Sequence, residues 1–447
     1  MNQNPHYFED ALLPALRRDP LLRRLLGGQL LSHLGAQCSQ VALPWLVLAL
    51  SADPLAVGTV LAAMLVPRSL LILLGGVAVD RWGARAVLLA AQLANALLLG
   101  GLAAAVYSER LQMGGVLLLA LALGTATAFS SPAAAALVPQ VIRPERQRVA
   151  NRAMVGMSQL ALFAGPPLAG GLIVALGAGP QAGQSQLGLA WAFGLDALGF
   201  LASTLSVLGL PALRPAATAE SADAADVAER PARPSVRQSL LEGFRAVRAD
   251  RQLLTSFAYG ALVALCAAGP MQVALPVLAE QLGRSWGAGA YGLLLGAFGG
   301  GCVGGTLLAG WRPDWRAGTV GNTMLLFDAI IALMFLLLSQ LQQLWLMALL
   351  LAVSGLLFGF LQNMVYHWTQ QRVPPAMLGR AMSLFMLMML SIAPLSMLGF
   401  GALLRWCSPS QVFAVSGAGV LLVVAGAYWH GLMPQLRDRS ALAGEAA

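Results

Sequence analysis

Twelve long apolar runs separated by short polar turns leave this chain few folds to choose from. They cover residues 25–50, 55–79, 86–106, 112–137, 153–177, 187–210, 252–279, 287–311, 319–339, 343–369, 381–404 and 411–433. Each is close to or above the roughly 20 residues that cross a bilayer's hydrocarbon as a helix. With 58% hydrophobic and 10% charged residues over 447 positions, the chain is too apolar for a water-soluble domain of its length. Lipid offers backbone groups no hydrogen-bond partners, so the runs must satisfy their own as helices. The expected fold is an all-α membrane protein with twelve transmembrane helices.

The twelve divide into two related sets. Gln40-Val41-Ala42-Leu43-Pro44 returns 232 positions later as Gln272-Val273-Ala274-Leu275-Pro276. Arg152-Ala153-Met154, followed by Pro166, returns 228 positions later as Arg380-Ala381-Met382, followed by Pro394 at the same distance. One register kept through both echoes implies two pseudo-symmetric six-helix bundles, the construction that lets secondary transporters rock two halves about a central cavity. The expected divisions are an amphipathic N-terminal segment (1–24), a first bundle (25–210), a linker with an interfacial helix (211–251), a second bundle (252–433) and a tail (434–447). Leu240, Leu241, Phe244 and Val247 stand at helical spacing within 235–249, which is the basis of the interfacial helix.

All 27 basic residues are Arg, and 23 fall in segments on the side of the two termini. The opposite side holds Arg110, Arg284 and Arg405, and Arg68 lies within a span. By the positive-inside rule both termini are expected in the cytoplasm. The net charge of +8 is then a topology signal, and no nucleic-acid partner is expected. Cys38, Cys266, Cys302 and Cys407 are scattered singly, which indicates neither a disulfide framework nor a metal site. There is no P-loop, no nucleophile–base pair and no metal-ligand spacing, so neither an enzyme nor a cofactor is expected.

The turn after the second span reads Gly76-x-x-x-Asp80-Arg81-x-Gly83-x-Arg85, with a weaker copy at Gly310-x-x-x-Asp314-x-Arg316-x-Gly318. It resembles the signature loop of the major facilitator superfamily. That resemblance implies that Asp80, Arg81 and their neighbours latch the outward-facing state, although Ala84 stands where many members carry a basic residue. As a topology anchor alone, Gly76 would let helices approach and the Arg residues would sit at headgroups. Gly165-Pro166-Pro167-Leu168-Ala169-Gly170-Gly171 is similar to the antiporter motif of superfamily exporters, and equally suits a kinked, closely packed helix. With Pro67-Arg68, 129–132, Asp196 and its neighbours, 242–245 and 371–374, the chain resembles the branch holding enterobactin exporter and macrolide-efflux-like proteins.

Candidate binding residues follow from polarity inside the spans. Arg68 is twelve residues before Asp80, roughly 18 Å from the turn at about 1.5 Å per residue, too deep to snorkel. It either has a substrate or gating role or forms a buried structural pair with a carboxylate. Gln29, His33, Gln37 and Gln40 recur at steps of three or four and are expected to face the cavity; Gln272, Asn363 and His367 form the comparable positions of the second half. Asp196 and Asp328 sit in spans that the resemblance places on the flanks, as buried partners of Arg or as proton carriers. The methionines of the eleventh span suit either apolar cargo or core filling.

The resemblance implies a monomeric transporter of the bacterial cytoplasmic membrane. It would export a siderophore or amphipathic drug-like molecule by alternating access, with the proton gradient as energy source. Uptake of a nutrient is the alternative within transport; a non-transporting receptor or lipid-handling scaffold is the alternative outside it.

Overall fold

The computed structural model describes residues 20–51, 53–142, 144–177, 186–210, 244–245, 247–248, 250–282, 287–373, 375–431, 433 and 436. Its long helices are α1 (Pro20–Leu50), α2 (Pro54–Trp82), α3 (Ala84–Tyr107), α4 (Met113–Val141), α5 (Pro144–Ala175) and α6 (Leu187–Leu208). The second set is α7 (Arg251–Leu282), α8 (Gly287–Trp311), α9 (Val320–Leu338), α10 (Leu344–Arg372), α11 (Pro375–Leu403) and α12 (Pro409–Trp429). No strand occurs among the described residues. The expected surface segment before residue 20, the linker through 243 and the tail after 436 lie outside them.

Five helices, α1, α2, α5, α11 and α12, begin on a proline. At the first helical position the missing N–H would be unpaired anyway, so proline costs nothing there and presets φ. This is why α1 starts at 20 and α11 at 375, five and six residues before the apolar runs begin. Among the described residues eleven helices are long and apolar enough to cross a membrane. The remaining one, α1, has its apolarity diluted by Gln29, Ser32, His33, Gln37, Ser39 and Gln40. Exposed aromatic residues mark both ends of the spans: Trp82, Trp311 and Trp429 at the arginine-rich end, Tyr107, Trp345 and Trp406 at the other.

The repeat is written into the packing. In the first half α1 lies against α5 and α6, α3 against α4 and α6, and α2 against α4; in the second, α7 lies against α11 and α12, α9 against α10 and α12, and α8 against α10. The α2–α4 contact turns on Gly124, where a Cβ would fall 2.0 Å from the Met64 carbonyl oxygen, and the α8–α10 contact on Gly355, where it would fall 2.1 Å from that of Phe298. The turns after α2 and in the α8–α9 connection also match: Gly83 at φ 83° and Gly318 at φ 85° take a left-handed conformation open to glycine.

The halves differ where α7 crosses Pro270. Its counterpart in α1 is Cys38, which keeps an N–H, and α1 stays α-helical, whereas α7 widens into a π turn over Pro270–Ala274. Two serines from neighbouring helices bond backbone groups beside the turn. Ser396 of α11 donates to the Leu265 carbonyl at 2.6 Å and accepts from the Gly269 N–H at 2.7 Å. Ser416 of α12 donates to the Cys266 carbonyl at 2.8 Å, the acceptor that Pro270 cannot serve.

Candidate functional site

Between α1, α4 and α5 the first half opens a crevice of about 770 Å³ at the arginine-rich end, backed by α3 and α6. Gln29, Ser32 and His33 enter from α1, Ser130 and Ser131 from α4, and Gln147 and Asn151 from α5, while Gln92 and Phe200 form its floor. The crevice exists because α1 and α4 touch at few points, each being held instead by helices on its other side. Uncharged amides and hydroxyls dominate its polar surface, which suits a ligand recognised by hydrogen bonds.

Of the polar stripe on α1, Gln29 and His33 line this crevice. Gln37 does not: its side chain lies on Gly165 of α5, where a Cβ would be 2.5 Å from it. Gln40 is half-buried further along α1, and Gln272 is half-buried within the π turn of α7. Asn363 is engaged by its own surroundings, donating to Thr306 at 3.0 Å and to the Gly359 carbonyl at 2.8 Å. Thr306 also accepts from Gln159 of α5 at 3.2 Å, so this polar knot joins the two halves. His367 is exposed, with its ring edge-on to Tyr366.

Arg68 stands at the centre of α2, fourteen residues from either end. Its Nε is buried without a hydrogen-bond partner, and no ion pair to it occurs among the described residues. The expected alternative of a structural pair with a carboxylate is therefore not realised there. Asp196 is 3% exposed, and its Oδ1 also lacks a partner; the reading of it as a buried partner of Arg fails in the same way. Asp328, 5% exposed, accepts a hydrogen bond from the Tyr259 hydroxyl at 2.7 Å and so pairs with a phenol, not an arginine.

Contact between the halves runs along α5–α8 and α2–α11. On α5 the Gly-Pro motif makes it: a Cβ on Gly170 would lie 2.4 Å from the Ala288 carbonyl, one on Gly292 2.3 Å from that of Pro166, and one on Gly296 2.3 Å from the Pro167 ring. At the arginine-poor end Gly58 touches the Met397 carbonyl, and the Trp45 ring covers Gly287. There Asp53 accepts from Arg405 through both guanidinium arms, joining the α1–α2 turn to the α11–α12 turn. The Arg405 hydrogen bond holds the Asp53 carboxyl below its ordinary range.

At the other end the signature loop is exposed at Asp80, Arg81 and Gly83, with the Arg81 guanidinium over the Trp82 ring at 5.8 Å. Arg85 donates to the Leu208 carbonyl at 3.1 Å, tying the turn to the end of α6. A Cβ on Gly76 would meet nothing within 4 Å; the residue that permits close approach is its neighbour Gly75, where a Cβ would lie 2.6 Å from the Ala128 carbonyl. In the second copy Asp314 is exposed and Arg316 donates to the Pro313 and Trp315 carbonyls, both at 2.8 Å. Asp250 caps α7 and accepts from Arg372 at 2.6 Å; burial pushes its carboxyl up, but Arg372 and the capped N–H groups bring it below the ordinary range.

Sequence reasoning missed Ser130, Ser131 and Gln92 in the crevice, the Asp53–Arg405 pair, and Ser396 and Ser416. A signal for Asp53 existed, since Asp-Pro before an apolar run marks a helix start. Nothing local points from it to Arg405, 352 positions away.

Two duplicated bundles of long apolar helices define a membrane transporter fold, and this is a multi-pass membrane protein. Residues 25–397 match the family model described as the Major Facilitator Superfamily. The chain belongs to that superfamily. The enterobactin exporter EntS of Escherichia coli O1:K1 / APEC is 26% identical over 269 residues, covering 58% of this chain. The match spans about half the length of that relative, 55%. The fold is shared with the nucleoside transporter NupG, at TM-score 0.68 and 14% identity over 92% of this chain and 98% of that one. A bacterial homologue of the iron transporter ferroportin, solved in an inward-facing state, gives 0.65 at 15% identity, again over 92% and 98%.

Proposed function

We propose that the chain exports a small organic molecule, a siderophore or amphipathic drug-like compound, from the cytoplasm by alternating access in exchange for protons. The observation that carries this reading is the crevice at the arginine-rich end, opposite the end where Trp45, Gly58 and Asp53 close against the second half. If the arginine-rich end is cytoplasmic, as the positive-inside rule requires, both termini lie in the cytoplasm of a bacterial inner membrane and cargo enters from within. The partial similarity to EntS supports a siderophore, and the Arg68 guanidinium, which lacks an ion pair among the described residues, supports an anionic or polar-aromatic one. Gln29, His33, Gln40, Gln272 and Arg68 contribute the binding surface in this reading. Asp80, Arg81, Gly83, Arg85, Asp314 and Arg316 latch the alternate state, and Gly165, Pro166 and Gly170 form the sliding contact.

The test is transport into everted membrane vesicles energised by a proton gradient, with a catecholate siderophore and a cationic dye in parallel. Accumulation of the catecholate and not the dye is expected. Movement of the catecholate out of the vesicles would establish uptake instead, and indifference to both would remove the siderophore reading.

A further inference from the structure

A carboxylate inside a bilayer protein needs a cation, several hydrogen-bond donors or a proton of its own. Among the described residues Asp196 has neither of the first two. It sits on α6 where α1 comes so close that a Cβ on Gly35 would lie 2.6 Å from the Asp196 Cα, and it is 3% exposed. Its Oδ1 has no partner. The Ser39 hydroxyl faces it from α1 without closing a hydrogen bond. Asp328, a buried acid on α9 of the second half, is served by Tyr259.

The crevice supplies the other half of the case. Its floor includes Phe200, one helical turn along α6 from Asp196, and its wall includes His33, two residues from Gly35 on α1. At 1.5 Å per residue the buried carboxyl is therefore about 6 Å along α6 from a polar cleft. We infer that Asp196 is a proton-binding site that exchanges with the arginine-rich side through the α1–α4 crevice. Release breaks the carboxyl O–H bond and hands the proton to water in the crevice or to the His33 imidazole; loading is the reverse. No other reactant is required.

Other titratable groups near Asp196 are few. From α1 the facing groups are the Cys38 thiol and, further along, His33. The charged group of α3 is Arg85, which is bound at the far end to Leu208. Those of α5, namely Glu145, Arg146, Arg148 and Arg152, all lie in its first turns. As an O–H donor the carboxyl would also find a use for the idle Ser39 oxygen.

This inference gives the proposed exchange its coupling residue, yet its test needs no cargo, so it stands or falls apart from the exporter reading. The purified full-length chain in lipid nanodiscs is titrated with acid and base and followed by infrared difference spectroscopy. A protonated-carboxyl C=O band that titrates is expected to be lost in Asp196→Asn and kept in Asp328→Asn. Ser131→Phe, which places a ring in the crevice lining, should retard deuteration of that band. Persistence of the titrating band in Asp196→Asn overturns the assignment. Should that variant not fold, Ser39→Ala keeps the carboxyl and alters its one facing hydroxyl; a band that does not shift in it is equally fatal.

Discussion

Asp53 does two things at once: it accepts from the Leu55 N–H at 3.0 Å as the cap of α2, and it accepts from Arg405, which belongs to the other half of the molecule. Helix start and gate are thus one residue. The pair is partly exposed, Arg405 at 50% and Asp53 at 35%, so salt screens it and its strength is modest.

Arg405→Ala is expected to raise the population open at the arginine-poor end by no more than a few-fold, read as distance distributions between spin labels across that end. Asp53→Asn should do the same with little loss of the cap, because Asn also caps helices. The sign with pH follows from the depressed Asp53 carboxyl. Its contribution to closure is complete above the ordinary carboxylate range and fades as pH falls through the lower value it has in the closed state. Acid should therefore open the wild type and leave Asp53→Asn unmoved, and high salt should act in the same direction.

The π turn of α7 gives a second prediction. Ser416→Ala leaves the Cys266 carbonyl, which Pro270 cannot serve, without a donor, whereas the Leu265 carbonyl and Gly269 N–H that Ser396 bridges are four residues apart on one helix and can bond each other once the hydroxyl is gone. A buried unsatisfied backbone group costs about 1–3 kcal/mol. Ser416→Ala should be the more destabilising of the two in denaturant titrations of the detergent-solubilised protein, and equal costs would show that the turn relaxes to repair itself.

The glycines separate in the same way. Gly292→Ala places a methyl against the Pro166 backbone, which cannot swing aside, while Gly76→Ala meets open space. Overpacking a tight helix contact costs typically about 1–3 kcal/mol, so Gly292→Ala should lower stability by that order and impair switching, with Gly76→Ala near neutral. Equal stability of the two variants would mean that α5 and α8 part easily.

Those comparisons show what could be read before the fold was known. Helix count, duplication and the close-packing role of Gly170 were legible because they rest on periodicities and small residues that act locally. Pro270 was visible too, but Ser396 and Ser416, which bond backbone groups beside the turn, lie 127 and 150 positions from their partners and carry no local mark. The close approach belongs to Gly75 and not to Gly76, a difference of one residue in helix phase that sequence cannot resolve when two glycines are adjacent. The solitude of Arg68 and Asp196 is a statement about what surrounds them, and no spacing along the chain encodes it.

Arg68 offers the sharpest separation of stability from function. Removing one member of a buried ion pair strands the other and is strongly destabilising. Arg68 has no carboxylate partner among the described residues, and its Nε is buried without a hydrogen bond. Arg68→Leu should thus leave thermal stability unchanged or raised, since a charged side chain whose Nε is buried without a partner gives way to an apolar one. Transport of the catecholate should meanwhile fall, by tenfold for each 1.4 kcal/mol of binding that the guanidinium supplies. Arg68→Lys keeps the charge but loses the planar fork that matches an anion at two points, and should recover only part of it. A fall in stability together with transport would assign Arg68 to the scaffold, and a full recovery by Lys would reduce its role to charge alone.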